Sequence, residues 1–235
     1  MTEPHIGKEY YDHSDYFEGR AGHLNDMQSP FQRYRVQKVL DIYPPMSGQR
    51  VVDFGCGWGT FGFELSGRVA EVVGIDFSEK SIELCNRRLA SDPRENLTFL
   101  CADAGDTGLE ADAYDVVIAA DLFEHLYPED SMRVVQEAYR ILKPGGRFSV
   151  FTPHRGHFLE VLKNRDILIK RDISHVDYKS LERMKQMMQE AGFGIERAYY
   201  AESHLPGLRV VERLLQGFVP LLRRRVAVLG QKAPK

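Results

Sequence analysis

Glycines and carboxylates that lie close together are the residues best suited to hold a ligand in this sequence. The stretch VVDFGCGWGTFG, residues 51–62, contains four glycines, and Asp53 precedes all of them. Glycine lets the backbone approach a bound molecule closely, because it has no side chain to keep the ligand away. A carboxylate beside such a turn favours a ligand that carries a positive charge.

Two kinds of ligand fit this loop. Gly57, Gly59 and Gly62 spell G-x-G-x-x-G, and Asp76 follows at about the spacing of a ribose-binding acid, which together suggest a dinucleotide. However, Asp53 would then face a pyrophosphate at short range, and Gly55 begins the turn before the triplet. A cationic ligand accounts for both features. The pattern alone leaves a dinucleotide-binding oxidoreductase as an alternative.

Short apolar runs rich in β-branched residues alternate with helical patterns and must position this loop. The predicted strands are 50–54, 71–77, 97–103, 114–121 and 146–152, followed by two late strands at 195–201 and 224–231. Ser78 is expected to cap one helix, and a helix from Ser131 is expected to stop at Pro144 and Gly145. This alternation predicts an α/β fold, with a parallel sheet covered by helices on both faces.

The loops that follow the strands of such a sheet line a crevice at its carboxyl edge. Four of the five early strand ends carry an aspartate: Asp53, Asp76, Asp103 and Asp121. Repeated carboxylates suit a ligand rich in hydroxyls and amines better than one dominated by phosphate.

Five stretches at these strand ends resemble the ordered motifs of class I S-adenosylmethionine-dependent methyltransferases, in their ubiquinone-biosynthesis-like group of small-molecule enzymes. They are VVDFGCGWG, GIDFS, FLCADA, YDVVIAADLFEHL and ILKPGGRFSVFTPH. One G-x-G is a weak signal, whereas five motifs in order are a strong one. The resemblance implies S-adenosyl-L-methionine as cofactor and one domain over residues 1–235. It also implies a Rossmann-like doubly wound sheet that is mostly parallel with an antiparallel last strand.

The resemblance implies roles for the loop and the first two acids. Gly55, Gly57 and Gly59 would let the chain pass close to the amino-acid part of the cofactor. Asp53 would balance the cofactor's ammonium group, directly or through water. Asp76 would accept hydrogen bonds from both ribose hydroxyls.

The same resemblance places the remaining cofactor contacts on the next strand ends. Phe77 would pack on the adenine, Asp103 would accept from its exocyclic amine, and the backbone N–H of Ala104 would reach a ring nitrogen. Asp121 and Leu122 would form the wall beneath the sulfonium.

Methyl transfer to a hydroxyl benefits from a general base, for which histidine is the usual residue. His125 follows the fourth strand, close to the expected methyl group, and is the predicted catalytic base. His154 and His157 follow the fifth strand and are predicted substrate contacts, and His175 is a further candidate. Each of these histidines has an alternative as an ordinary structural or solvent-exposed side chain.

A metal site is the alternative for the fourth strand end. In the resembling ubiquinone-type O-methyltransferases, an acid-x-x-Glu-His run binds a divalent ion, and Asp121, Glu124 and His125 have this spacing. The first acid here is the shorter Asp, and hard cations usually need more oxygen ligands. We therefore predict no metal.

Two segments are expected to shape the acceptor pocket. Residues 1–35 are aromatic and predict a lid in which Tyr11 faces the substrate, and residues 153–178 predict an insertion that caps the site. Residues 205–232 have two interpretations: a crossover helix followed by the last strand, which we favour, or a basic amphipathic membrane helix.

Composition narrows the partners and the compartment. The net charge is −3, which gives no broad basic footprint for nucleic acid, and no apolar run approaches the length of a membrane span. The three cysteines form no framework, and the N-terminus lacks a signal-peptide core, so a cytoplasmic location is expected.

We therefore predict methyl transfer from S-adenosylmethionine to a small molecule, with a hydroxyl oxygen preferred. N- or C-methylation, a protein target and a non-catalytic binding protein are the alternatives. The sequence does not indicate an oligomeric state.

Overall fold

The computed structural model describes residues 6–13, 16–19, 21–167 and 171–234. Parts of the predicted lid (1–5, 14, 15 and 20) and of the predicted insertion (168–170) therefore lie outside the described residues. The strands are β1 Arg50–Phe54, β2 Glu71–Asp76, β3 Leu97–Cys101, β4 Tyr114–Ala120, β5 Leu142–Pro153, β6 Phe193–Ala201 and β7 Arg225–Lys232. The helices are α1 Lys8–His13, α2 Pro30–Ile42, α3 Thr60–Ser66, α4 Glu79–Ser91, α5 Pro128–Ile141, α6 Phe158–Asn164, α7 Leu181–Glu190 and α8 Pro206–Leu215.

The seven strands form one sheet in the order β3-β2-β1-β4-β5-β7-β6. Strands β1 to β5 pair in parallel, whereas β7 runs antiparallel to both β5 and β6. The predicted doubly wound sheet with an antiparallel last strand is confirmed. Because the strand order reverses between β1 and β4, the loops after these two strands diverge and open a crevice between them.

Alternate residues of the strands enter two separate cores, since successive side chains of a strand point to opposite faces. Val51 packs on the face covered by α2, α3 and α4, and Val52 packs on the face covered by α5 and α7. Helix α7 contributes Met184, Met187 and Met188 to the second core, and all three are buried. Both cores leave the carboxyl edge of the sheet free for the loops.

Of two predicted helix ends, the start of α4 is confirmed and the end of α5 differs from the prediction. Ser78 caps α4 as predicted, since its hydroxyl oxygen accepts from Ser81 N at 3.2 Å. The predicted stop of α5 at Pro144 and Gly145 is wrong, because the helix ends at Ile141 and β5 begins at Leu142. Proline disfavours a helical conformation in the residue before it, so the chain becomes extended before Pro144 is reached.

Helix α2 begins inside the segment predicted as a lid. Ser29 caps it by accepting from Gln32 N at 3.2 Å, and Pro30 occupies its first turn. The helix buries Val36, Val39 and other apolar residues against the sheet, so residues from 30 onward are part of the folded core. Phe31 and Arg35 of this helix also reach the crevice at the carboxyl edge of the sheet.

Candidate active site

A cavity of about 600 Å³ opens at the carboxyl edge of the sheet. Its walls come from the loops after β1 to β5, from described residues of the N-terminal segment such as Tyr11, Tyr16 and Phe17, and from the segment after β5. Most of the residues predicted for the site line it: Tyr11, Gly55, Gly57, Asp76, Phe77, Asp103, Ala104, Asp121, Leu122 and His125. Its size is within the usual range for small-molecule sites.

Asp76 holds the glycine loop and still offers acceptor capacity. Its Oδ2 accepts from Gly57 N at 3.0 Å, and its Oδ1 accepts from Ser78 N at 3.0 Å. Burial raises the pKa of Asp76, while these two backbone hydrogen bonds oppose the rise. Each carboxylate oxygen can accept a second hydrogen bond, so a pair of hydroxyls in the cavity has acceptors ready for it.

Two of the three glycines that were predicted to contact the cofactor have no room for a side chain, because other residues of the protein lie against them. Gly55 has φ +70°, and a Cβ on it would lie 2.9 Å from Leu122 Cδ1. Gly59 has φ +71° at the start of α3, and a Cβ there would lie 2.8 Å from Phe99 Cζ. Gly59 therefore serves core packing, whereas Gly55 and Gly57 face the cavity.

Asp53 lies behind the loop and does not line the cavity in the described part of the chain. Its side chain is buried, and its Oδ2 has no hydrogen-bond partner among the described residues. Burial raises the pKa of Asp53 to about 7, with Arg35 opposing the rise and Asp76 adding to it. A buried carboxyl oxygen without a partner is costly, so this atom is a place where a ligand's donor or an ordered water would be accommodated.

The predicted adenine contacts sit at the more open end of the cavity. Phe77 is exposed, and its ring centroid lies 5.3 Å from that of Tyr11. Asp103 Oδ2 accepts from Arg133 at 2.9 Å, and its Oδ1 accepts from Gly105 N at 2.7 Å. Ala104 lines the cavity beside them.

Asp121 adopts a left-handed backbone conformation with φ +56°, which is uncommon for a residue other than glycine. Its Oδ2 accepts from Arg35 Nε at 2.6 Å, and its Oδ1 accepts from Arg225. Burial alone would raise the pKa of Asp121, but the two guanidinium groups outweigh burial and hold it well below its usual range. Asp121 is therefore a fixed carboxylate, and the predicted wall position beneath the sulfonium is compatible with its place in the cavity lining.

His125 sits in a 3-10 helix (Phe123–His125) after β4. Its Nδ1 lies 3.0 Å from the carbonyl oxygen of Ser174 and 3.1 Å from the hydroxyl of Tyr11. Since a carbonyl only accepts, the bond to Ser174 places the proton on Nδ1 and leaves the lone pair on Nε2. Burial lowers the pKa of His125, although Asp172 and the Ser174 carbonyl oppose this, so the ring is neutral at neutral pH.

The structure groups a different trio from the run considered for a metal. Ligand atoms of Glu124, His125 and His175 all lie within 4.8 Å of one another. Asp121 is held by its two arginines instead. Burial, followed by the charge of Asp121, raises the pKa of Glu124 to about 8, so this carboxyl is mainly protonated at neutral pH. A cation bound by this trio would have to displace that proton.

Neither histidine after β5 lines the cavity in the described part of the chain. His157 is fully buried, caps α6 by accepting from Leu159 N at 3.3 Å, and lies 2.9 Å from Glu212 Oε1. His154 Nδ1 lies 3.1 Å from the carbonyl oxygen of Arg223. The structure gives both side chains contacts that stabilise the fold, and contact with a substrate stays a prediction for each.

Several cavity residues were not predicted from the sequence. Arg35 and Arg225 fix Asp121, and Trp58 forms part of the aromatic wall. A signal for Arg35 was present, because Ser29-Pro30 is typical of a helix start and would have placed α2 against the sheet. No comparable pattern marks Arg225, which reaches the site only through the pairing of β7 with β5.

Comparison with known proteins shows which proteins this chain is similar to. The family described as "Methyltransferase domain" matches residues 51–146. The chain is 38% identical over 120 residues to the demethylmenaquinone methyltransferase of Clavibacter sepedonicus, covering 51% of this chain and 46% of that relative. It is 26% identical over 185 residues to the mitochondrial ubiquinone biosynthesis O-methyltransferase of Rattus norvegicus, covering 74% of this chain and 53% of that relative. The chain thus spans about half the length of these curated relatives.

A solved structure shares the fold across the chain. Phosphoethanolamine N-methyltransferase 2 of Haemonchus contortus, in complex with phosphomonomethylethanolamine and S-adenosylhomocysteine, superposes with a TM-score of 0.70 at 17% identity. The match covers 100% of this chain and 62% of that one. The similar proteins are thus named for methylation at different atoms: oxygen for the Rattus norvegicus enzyme and nitrogen for the Haemonchus contortus enzyme.

Proposed function

We propose that this chain, whose residues 51–146 match the methyltransferase domain family, transfers a methyl group from S-adenosylmethionine to a hydroxyl oxygen of a small molecule. The observation that carries the proposal is the contact of Tyr11 and His125 in the same cavity as Asp76 and the glycine loop. These residues bring a base and a cofactor-binding loop into one cavity.

The residues around the glycine loop match the chemical groups of the cofactor. Asp76 offers two acceptor oxygens for the ribose hydroxyls, and Gly57 leaves open space where a side chain would stand. The unpartnered Oδ2 of Asp53 lies behind the loop and suits a cationic group or the water that links to it. When bound, S-adenosylmethionine supplies a methyl group on a positively charged sulfur that departs as a neutral thioether.

His125 is the residue placed to take the acceptor's proton. Its Nδ1 is committed to Ser174, so Nε2 carries the lone pair, and its lowered pKa keeps the ring neutral and ready to accept a proton. Burial raises the pKa of Tyr11 well above its usual range, so its phenol stays neutral and serves to orient the imidazole. The acceptor oxygen would lose its proton to Nε2 as it forms its bond to the methyl carbon.

The segments around the cavity complete the proposal. Tyr11, Tyr16 and Phe17 come from the N-terminal segment, and Lys163 and His175 come from the segment after β5. We assign these two segments the roles of lid and cap, because together they exclude water from the place of transfer. We also propose that residues 1–235 form a single domain and that the protein works in a reducing, cytoplasmic compartment.

The test measures turnover and binding separately in the full chain. S-adenosylmethionine is incubated with phenolic and hydroquinone probes and with phosphoethanolamine, and S-adenosylhomocysteine and the methylated product are followed by mass spectrometry. We expect an O-methylated phenolic product whose rate rises with pH through a pKa below 6.5. His125→Asn should lower kcat by about 10²- to 10⁴-fold, the usual contribution of a general base, with the affinity for S-adenosylhomocysteine unchanged.

The alternatives are separate outcomes of that experiment. Methylated phosphoethanolamine or a C-methylated product would replace the oxygen acceptor. Tight binding of S-adenosylhomocysteine without turnover of any probe would favour a non-catalytic binding protein, and binding of NAD in its place would contradict the cofactor assignment. Full activity in His125→Asn would remove the base from the mechanism.

A further inference from the structure

Helix α8 packs against the protein with its polar side inward. Glu212 is fully buried, contacts His157 Nε2 at 2.9 Å and accepts from Ser203 N. Arg209, one turn earlier, is half-buried, and its guanidinium lies 5.6 Å from the centre of the Tyr34 ring. An amphipathic helix of a globular protein normally buries its apolar side, so this helix is oriented in the reverse sense.

The apolar side of α8 and the turn that follows it therefore face outward. Leu214 is 68% exposed and Phe218 is 88% exposed. We call the group the α8 surface: Leu205, Val210, Val211, Leu214, Leu215, Phe218, Val219 and Leu221, all of which are exposed. Most of the exposed large hydrophobic residues in the described part of the chain belong to it. Contiguous patches of this kind usually mark an interaction site.

The charges around the α8 surface are mainly positive. Residues 205–223 contain three arginines, Arg209, Arg213 and Arg223, and a single carboxylate, Glu212. That carboxylate is buried against His157, whereas the Arg213 side chain is 63% exposed and pairs with Glu202 at 2.8 Å. Arginines still outnumber carboxylates when Glu202 is included. The chain as a whole carries a net charge of −3, so the rim of this surface is locally basic on a mildly acidic protein.

We propose that the α8 surface docks on an anionic membrane, with α8 lying in the plane of the interface. Apolar side chains flanked by arginines are the pattern of a helix that inserts its apolar face beneath lipid headgroups. A second copy of this chain fits less well, because a two-fold contact would bring arginines against arginines. No helix in the described ranges is long and apolar enough to cross a bilayer, so the contact is at the surface only.

Docking in this orientation brings the cavity to the membrane. Leu205 belongs both to the α8 surface and to the cavity lining, and His204 beside it also lines the cavity. The inference rests on the exposed surface alone and does not depend on which reaction the cavity performs.

The experiment is flotation of the full chain with phosphatidylcholine vesicles, with and without half of the lipid replaced by phosphatidylglycerol. We expect the wild type to float with the anionic vesicles and to detach as salt is raised, since salt screens the arginine contribution. The double variant Leu214→Glu, Phe218→Glu should lower the partition coefficient at least about tenfold, which corresponds to about 1.4 kcal/mol. Met46→Glu is the matched control, because Met46 is 59% exposed and precedes β1 at the opposite edge of the sheet.

Each result decides the proposal. Wild type that stays unbound, or a double variant that floats like wild type, would overturn it. Equal binding to vesicles with and without phosphatidylglycerol would overturn the role of the arginines. Sedimentation velocity supplies the remaining outcome: a dimer that the double variant abolishes, without vesicle binding, would make the α8 surface a contact between copies. Circular dichroism on the wild type and on both variants checks that the fold is unchanged.

Discussion

Binding of the cofactor's amino-acid tail should release a proton from Asp53. In the ligand-free protein, burial raises the pKa of this carboxyl to about 7, and its Oδ2 has no partner among the described residues. A nearby ammonium group favours the ionised carboxylate and therefore lowers its pKa. S-adenosylhomocysteine carries this ammonium without the sulfonium charge, so it isolates the effect.

The size of the release follows from the pKa. With a value of about 7, about nine tenths of Asp53 is protonated at pH 6 and about one tenth at pH 8. Full ionisation in the complex then releases about 0.9 proton per site at pH 6 and about 0.1 at pH 8. Because binding releases protons, the affinity rises as the pH rises, by up to about tenfold over this range.

Titration calorimetry in two buffers of different ionisation enthalpy measures the released protons directly. At pH 6 the ligand's own amino group has a pKa well above the pH of the experiment, so it is already charged and adds nothing. Asp53→Asn cannot ionise and should show no buffer dependence at pH 6. A wild-type enthalpy that is the same in both buffers, or an equal slope in Asp53→Asn, would refute the reasoning.

Three other features of the cleft have measurable consequences. Asp76→Ala should weaken S-adenosylhomocysteine binding by about 1.5–3 kcal/mol for each lost charged hydrogen bond, and unchanged affinity by calorimetry would contradict its ribose role. Gly59→Ala should lower the free energy of unfolding in urea by more than Gly57→Ala, because both require a left-handed backbone but only Gly59 also crowds Phe99; equal losses would argue against the crowding. The pKa of Glu124 rises from 4.5 to about 8 in the fold, so its stabilisation is full below 4.5 and is lost as the pH rises towards 8. Melting curves should therefore show wild type losing more stability than Glu124→Gln between pH 5 and pH 8, and parallel curves would contradict the shift.

The central fold was predictable because its signals are local. Each early strand is a short run of apolar residues, such as Val51 and Val52, and alternating burial on two faces needs only those residues. The aspartates at the strand ends converge because parallel strands end at one edge. Tyr11 and His125 were both identified as site residues, although their contact across 114 positions was not predicted.

Contacts between side chains that are distant in the sequence could not be predicted. Nothing in the sequence indicated that His157 contacts Glu212, 55 residues further on, and its contact with the substrate stays a prediction. The spacing of Asp121, Glu124 and His125 is that of a metal site, yet two arginines remote in the sequence occupy Asp121. Helix α2 was not predicted although its start signal at Ser29-Pro30 was present, because the aromatic residues around it favoured the interpretation as a lid.

The two arginines that bind Asp121 also determine how early during translation the site can form. Arg35 precedes Asp121 by 86 residues, and Arg225 follows it by 104. A nascent chain that has emerged only as far as β5 would carry this aspartate with one of its two counter-charges missing. The cavity therefore cannot be completed co-translationally until β7 leaves the ribosome and inserts between β5 and β6. A chain that binds its ligand has therefore folded at least as far as β7.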